Sequence, residues 1–314
     1  MRAVFLALAT LLALLRPSSA EETVITILTG SPSGVYYPLG GALSSIYAKA
    51  IPGARVTVQA TAGSVENLKL LEAGDGEIGF TLGDTLTDAW TGNSDGGFTA
   101  PLRKLRGIAA IYRNFIQIVA RAGSGITAIT DLKGKRVSVG ARGSGTALNA
   151  AAILKAAGLT FDELGAVDYS PFGTSVRLIE KGELDVTLQS AGLGAESIRH
   201  LLASTQSTLV PLPPDVIAKI GNPVYVPAII PAGTYNGQSA DVPTASVINF
   251  LVTREGVSDD VAYGMTKSLF EKLDQLVQTH PAAQEISLKN ALSGMPIPLH
   301  PGAERYYREI GMLK

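Results

Sequence analysis

Cysteine is absent from all 314 residues. That excludes disulfides, thiolate metal sites, a cysteine nucleophile and a lipid anchor on an N-terminal cysteine. Histidine is scarce: His200, His280 and His300 are the whole set. None is spaced as a metal pair, and the last two precede proline. Charge is sparse and balanced, 26 basic against 27 acidic residues, so a nucleic-acid-binding patch is not expected. Beyond residue 20 no stretch reaches eighteen apolar residues, so no membrane-crossing helix is expected. There is no Walker pattern, and Leu148 stands where a dinucleotide loop built on Gly143 and Gly145 would need its third glycine. No cofactor and no metal site is expected.

What is present begins with an export segment. Arg2 supplies a positive start, Ala3 to Leu15 is nearly all apolar, and Pro17 breaks the run. Ser18, Ser19 and Ala20 are small, as a signal cleavage site requires, and cleavage is expected after Ala20. The expected location is the periplasm. The length exceeds what one core usually fills, so two domains are expected. The 34 glycines fall at element ends, as in an α/β chain with many short turns.

One arrangement recurs three times. Val24 to Thr29 reads as a strand, then Gly30 to Gly34 as a loop carrying Ser31 and Ser33, then a helix from about Tyr37. Arg55 to Ala60 reads as a strand, then Thr61, Ala62, Gly63 and Ser64, then a helix containing Asn67. Val137 and Val139 open a third unit, whose loop holds Arg142, Gly143, Ser144 and Gly145 before a helix from Thr146. The first turn of a helix leaves backbone N–H groups unpaired at its positive end, and glycine lets a ligand come close, so such loops suit an anion. A plain helix cap would need the same residues. For Ser144 both readings stand. A third short strand, Ile78 to Leu82, ends at Gly83 and Asp84. Loops at successive strand ends share one edge of an open sheet, where ligands bind.

Further along, Trp90 to Pro101 reads as a surface loop, and Gly107 to Arg113 and Phe115 to Arg121 as two strands. Ala245 to Thr253 is a long apolar strand, and Asp259 to Thr279 one amphipathic helix capped by Ser258. If the segments near 115–121 and 245–253 pair, they are the crossings between two lobes. The first lobe is then discontinuous, 21–116 and 250–314, and the second is 117–249. The ligand cleft lies between them.

Several long segments resemble one family. They are TGSPSGVYYPLGGAL (Thr29 to Leu43), ATAGSVENLKLLEAG (Ala60 to Gly74), DLKGKRVSVGARGSGT (Asp131 to Thr146), YVPAIIPAGTYNGQSADVPT (Tyr225 to Thr244) and HPAAQEISLKNALSGMPIPLHPGAERYYREIG (His280 to Gly311). In order, they are similar to the TAXI family of TRAP-transporter solute-binding proteins. The resemblance implies a two-lobed periplasmic binding protein with a hinge. It also implies delivery of the solute to TRAP permease subunits in the membrane, and ligands related to glutamate, glutamine and other carboxylates. Two positions depart from the family's habit. Leu82 stands where a polar residue is common, and Arg142 where proline is usual. Arg142 either forks onto an anionic ligand or points into solvent.

The expected function is an extracytoplasmic receptor, monomeric and not an enzyme, for a small anionic or zwitterionic solute such as a carboxylate or amino acid. The expected ligand contacts are Ser31, Ser33, Gly34, Tyr36, Thr61, Gly63, Ser64, Asn67, Asp84, Arg142, Gly143, Ser144, Gly145 and Thr146. The alternatives are an exported hydrolase, with Ser144 as nucleophile, and a surface-exposed immunogenic binding protein without a transport role. Arg142 breaks the Gly-x-Ser-x-Gly pattern a nucleophile elbow needs.

Overall fold

The computed structural model describes residues 23–314. The export segment read at residues 1–20 lies outside them. Among the described residues ten strands form one mixed sheet in the order β2-β1-β3-β10-β4-β7-β5-β6, with β8 added on β4 and β9 (Val226–Ile230) on β10. On one side β1 (Thr23–Leu28), β2 (Ala54–Gln59) and β3 (Ile78–Leu82) run parallel. On the other, β5 (Arg136–Ser138), β6 (Ala166–Asp168) and β7 (Val186–Ala191) run parallel. Two long antiparallel strands join them, β4 (Leu105–Arg121) and β10 (Val242–Arg254).

The sequence suggests two strands across β4, split at Asn114. The structure has one strand of 17 residues. Asn114 does not turn the chain because its amide is satisfied in place: Nδ2 donates to the Ser190 carbonyl and Oδ1 accepts from Asn249. The first part of β4 pairs with β10, and its last residues lie between β7 and β8 (Ser207–Val210).

Helices cover the sheet: α1 (Tyr36–Ala50), α2 (Ser64–Ala73), α3 (Gly83–Thr91), α4 (Gly145–Ala156), α5 (Phe172–Glu180), α6 (Glu196–Ser204), α7 (Pro214–Ile220), α8 (Asp259–Glu271), α9 (Leu273–Thr279) and α10 (Pro301–Glu309). Helix α3 begins where the sequence suggests a loop, directly after β3. The single helix expected over Asp259 to Thr279 is two, because Lys272 leaves helical backbone at φ −120° and ψ 24°.

The core falls into two sets about the middle of β4 and β10. Ile25, Leu43, Tyr47, Phe80, Ile111, Leu251, Met265 and Tyr307 belong to one large cluster. Ile116, Val137, Ile153, Leu188, Val210 and Val247 belong to another. The same long strands feed both clusters, so the backbone passes between two packed bodies within the sheet itself.

Candidate functional site

A small cavity lies between these bodies at the carboxyl ends of the parallel strands. Five helices start at its wall. Their N-caps, Val35 of α1, Gly63 of α2, Leu82 of α3, Ser144 of α4 and Pro171 of α5, all line it. Only Ser144 caps with its side chain; the Glu66 N–H of α2 goes to the Gly143 carbonyl and the Thr85 N–H of α3 to Asp84, and other first-turn N–H groups are left for something else. Gly63 holds φ 122°, a backbone that a side chain would strain. No lysine, arginine, aspartate or glutamate is in the lining.

Of the residues read from sequence, Ser31, Gly34, Tyr36, Thr61, Gly63, Ser64, Ser144, Gly145 and Thr146 are brought together in this wall. Their hydroxyl protons divide into two kinds. Ser64 Oγ accepts from the Leu82 N–H at 3.1 Å, Ser144 Oγ from Ala147 N–H at 3.1 Å, and Thr146 Oγ1 from Ser190 N–H at 3.4 Å. Ser144 and Thr146 keep their own protons to give, whereas Ser64 also bonds to the Tyr36 hydroxyl. Ser144 is thus a cap and a wall residue at once. Tyr36 is the opposite case. Its hydroxyl donates to Asn249 Oδ1 at 2.5 Å while its ring stacks on Phe80, so its proton is already used.

The other five have different places. Ser33 Oγ pairs with Ser31 Oγ, and the Ser33 carbonyl accepts from Ser197 N–H of α6. Asn67 is fully buried and ties the strand ends together: Nδ2 donates to the Thr29 and Phe80 carbonyls, and Oδ1 accepts from Thr61. Gly143 lends its carbonyl to Glu66 N–H of α2. Arg142 is exposed, with its guanidinium 3.8 Å from the Tyr169 ring centroid, a cation–π stack outside the lining. Asp84 is buried at the start of α3, and burial raises its pKa. It accepts from Asn149 Nδ2 at 2.5 Å, Tyr225 OH at 2.6 Å and Thr85 N–H at 2.7 Å.

These bonds form a seam. Two backbone bonds, Glu66 to Gly143 and Ser197 to Ser33, join the two bodies, and the Asp84 carboxylate joins them again through Asn149 and Tyr225. Gly145 sits so close that a Cβ there would come within 2.6 Å of Leu82 and 2.8 Å of Ser64 Oγ. Contacts across the seam are therefore made by backbone groups and by the buried side chains of Asp84, Asn149 and Tyr225.

Among the wall residues that escaped sequence reasoning are Tyr112, Asn114, Phe172 and Ser190. Tyr112 and Asn114 sit mid-strand in a nearly all-buried run, and Ser190 in a strand buried throughout. Their only local signal is a polar atom inside an apolar strand.

A sequence model of the NMT1-like family matches residues 27–311. The chain belongs to the NMT1-like family. The match takes in every wall residue. The periplasmic binding protein BugD superposes on this NMT1-like chain with a TM-score of 0.59 at 12% identity, over 93% of this chain and 99% of that one. PhnD1 of Prochlorococcus marinus, solved with methylphosphonate, gives 0.57 at 12% identity over 93% and 100%. The alkanesulfonate-binding protein SsuA of Xanthomonas axonopodis pv. citri, solved with MOPS, gives 0.53 at 13% identity over 94% and 96%. At such identities the likeness shows the fold: an α/β, two-lobed periplasmic binding protein fold.

Proposed function

We propose that the protein is an extracytoplasmic solute receptor that holds a small organic anion in this cavity and presents it to a membrane permease. The observation that carries this is the accounting of donors. Ser144 and Thr146 each have a hydroxyl proton to give, and the uncapped helix starts add N–H groups. A ligand meeting that wall must supply acceptors.

The energetics allow it. One helix start contributes about 0.3–1 kcal/mol, and about 2 when partly buried. Hydrogen bonds to a charged group add about 1.5–3 kcal/mol each. A micromolar complex needs about 8 kcal/mol. Several such donors acting together reach that figure, provided the lobes close over the ligand. The lobes are residues 21–116 with 250–314, and 117–249, bending at the strands near 115–121 and 245–253.

The neutral wall also selects within the class. A zwitterion would bring an ammonium group, and the lining has no carboxylate to receive it. The reading therefore favours a carboxylate or similar oxyanion over glutamate or glutamine. The fold relatives SsuA and PhnD1 were solved with a sulfonate and a phosphonate, which fits that class. The resemblance of the sequence to TAXI proteins supports TRAP subunits as the permease, and the export segment supports a periplasmic site of action. A hydrolase would need a base beside Ser144. Each histidine is engaged elsewhere, His200 with Glu180, and His280 and His300 as helix caps.

Calorimetric titration with pyruvate, succinate, methylphosphonate and L-glutamate at low and high salt tests the proposal. An anion is expected to bind more tightly than glutamate, with little change on adding salt, because no protein charge is there to be screened. Tighter binding of glutamate, or no anion binding at all, would overturn it.

A further inference from the structure

Asp84 lies buried in the first turn of α3, inside the seam between the two bodies. Its hydrogen-bond partners among the described residues are all donors. Oδ1 accepts from the Thr85 N–H at 2.7 Å and the Thr85 hydroxyl at 3.3 Å. Oδ2 accepts from Asn149 Nδ2 at 2.5 Å and the Tyr225 hydroxyl at 2.6 Å. Such surroundings suit an ionised carboxylate, which can only accept. Thr85 belongs to the same helix, but the two Oδ2 donors come from the other body. Asn149 lies on α4, where its Oδ1 accepts from Ser190 Oγ at 2.6 Å and so turns Nδ2 toward Asp84. The Tyr225 ring packs in the core cluster of Ile116, Ile153 and Val210. None of the three lines the cavity; Asp84 and Tyr225 border a separate groove, with Asp88, Lys155 and Lys219.

We infer that Asp84, Asn149 and Tyr225 are positioning residues, a latch that holds the lobes closed and so sets the affinity for the solute without touching it. This rests on the proposed lobe division and on the cavity being the solute site. The latch bonds need no solute atom, so they act on the solute-free chain as well. Once the lobes part, water hydrates the carboxylate and both donors. While the lobes are together, loss of one donor leaves a buried charge short of a partner, which is the costlier state. A weakened latch therefore lowers the closed fraction, and the apparent affinity falls with that fraction.

The test is Tyr225→Phe, which keeps the ring and removes only the hydroxyl. Without solute, small-angle scattering is expected to show a larger radius than wild type. Affinity for succinate is expected to fall about tenfold, as loss of a hydrogen bond to a charged group predicts. Asp84→Asn is expected to act in the same direction. The double variant is expected to lose little more than Asp84→Asn alone, because both changes remove the same bond. An unchanged solute-free radius in Tyr225→Phe overturns the inference; if the melting temperature drops at the same time, the hydroxyl is structural only. Full additivity in the double variant overturns it too. If wild type binds neither succinate nor methylphosphonate, the proposed function falls, and the solute-free radius still decides the latch. If wild type binds and Tyr225→Phe changes neither radius nor affinity, only the latch falls.

Discussion

His280 and His300 show how two rare residues are used when no catalysis needs them. Each precedes a proline that opens a helical turn, and each Nδ1 accepts the N–H two residues on, from Ala282 and Gly302, at 3.1 Å. Accepting requires Nδ1 to be unprotonated. Burial lowers both pKa values, and nearby arginines, Arg199 for His280 and Arg106 for His300, push the same way. Asp259, with an oxygen 3.8 Å from His300 Nδ1, opposes this weakly. The sign follows. The unfolded chain takes up protons near pH 6.5 while the native rings resist, so stability is full above about 6.5 and falls as pH drops below it. Each excluded proton steepens the fall by at most about 1.4 kcal/mol per pH unit. Thermal melts from pH 8 to 5 should show the decline. Replacing both with asparagine, which caps without titrating, should flatten it. An equally steep profile in the double variant would show that other groups are responsible.

The elements that shape the cavity are partly legible in the amino-acid sequence. Glycine and hydroxyl residues after β1, β2 and β5 announce themselves locally, because capping chemistry sits within a few residues of the helix it starts. Tyr112, Asn114 and Ser190 do not, because what makes them wall residues is the pairing of β4 with β10 and β7, partners up to 135 residues away. Arg142 needed the position of Tyr169 to place it. The loop before α4 illustrates what the glycines do as a group. At Gly145 an added methyl would press on Leu82, Ser64 and Thr85 at 2.6, 2.8 and 3.0 Å. Overpacking of that kind costs about 1–3 kcal/mol. In Gly145→Ala the cost falls on the closed arrangement, since Ser64, Leu82 and Thr85 all belong to the opposite lobe of the proposed division. Small-angle scattering should show a larger radius than wild type, and the affinity for an anionic probe should fall about tenfold. An unchanged radius and affinity would mean that the seam has slack.

Across the whole molecule, the polar groups around the cavity are ordered head to tail. Tyr36 donates to Asn249, Asn249 to Asn114, and Asn114 to the Ser190 carbonyl; the Ser190 hydroxyl donates to Asn149, and Asn149 to Asp84. The run starts in one lobe, crosses both long strands, enters the other lobe and ends on a carboxylate back in the first. A donor arriving with the solute would find Asn114 and Ser190 already supplied. The conjugate acid of an organic anion is such a donor, so the cavity distinguishes the two forms of one molecule by a single hydrogen. For succinate, affinity should hold from pH 8 to about 7 and fall through the range of the acid's own two ionisations, about pH 4 to 6. A midpoint well above that would implicate a titrating wall group instead. Through such a receptor, the acidity of the surroundings would govern uptake by changing the protonation of the cargo.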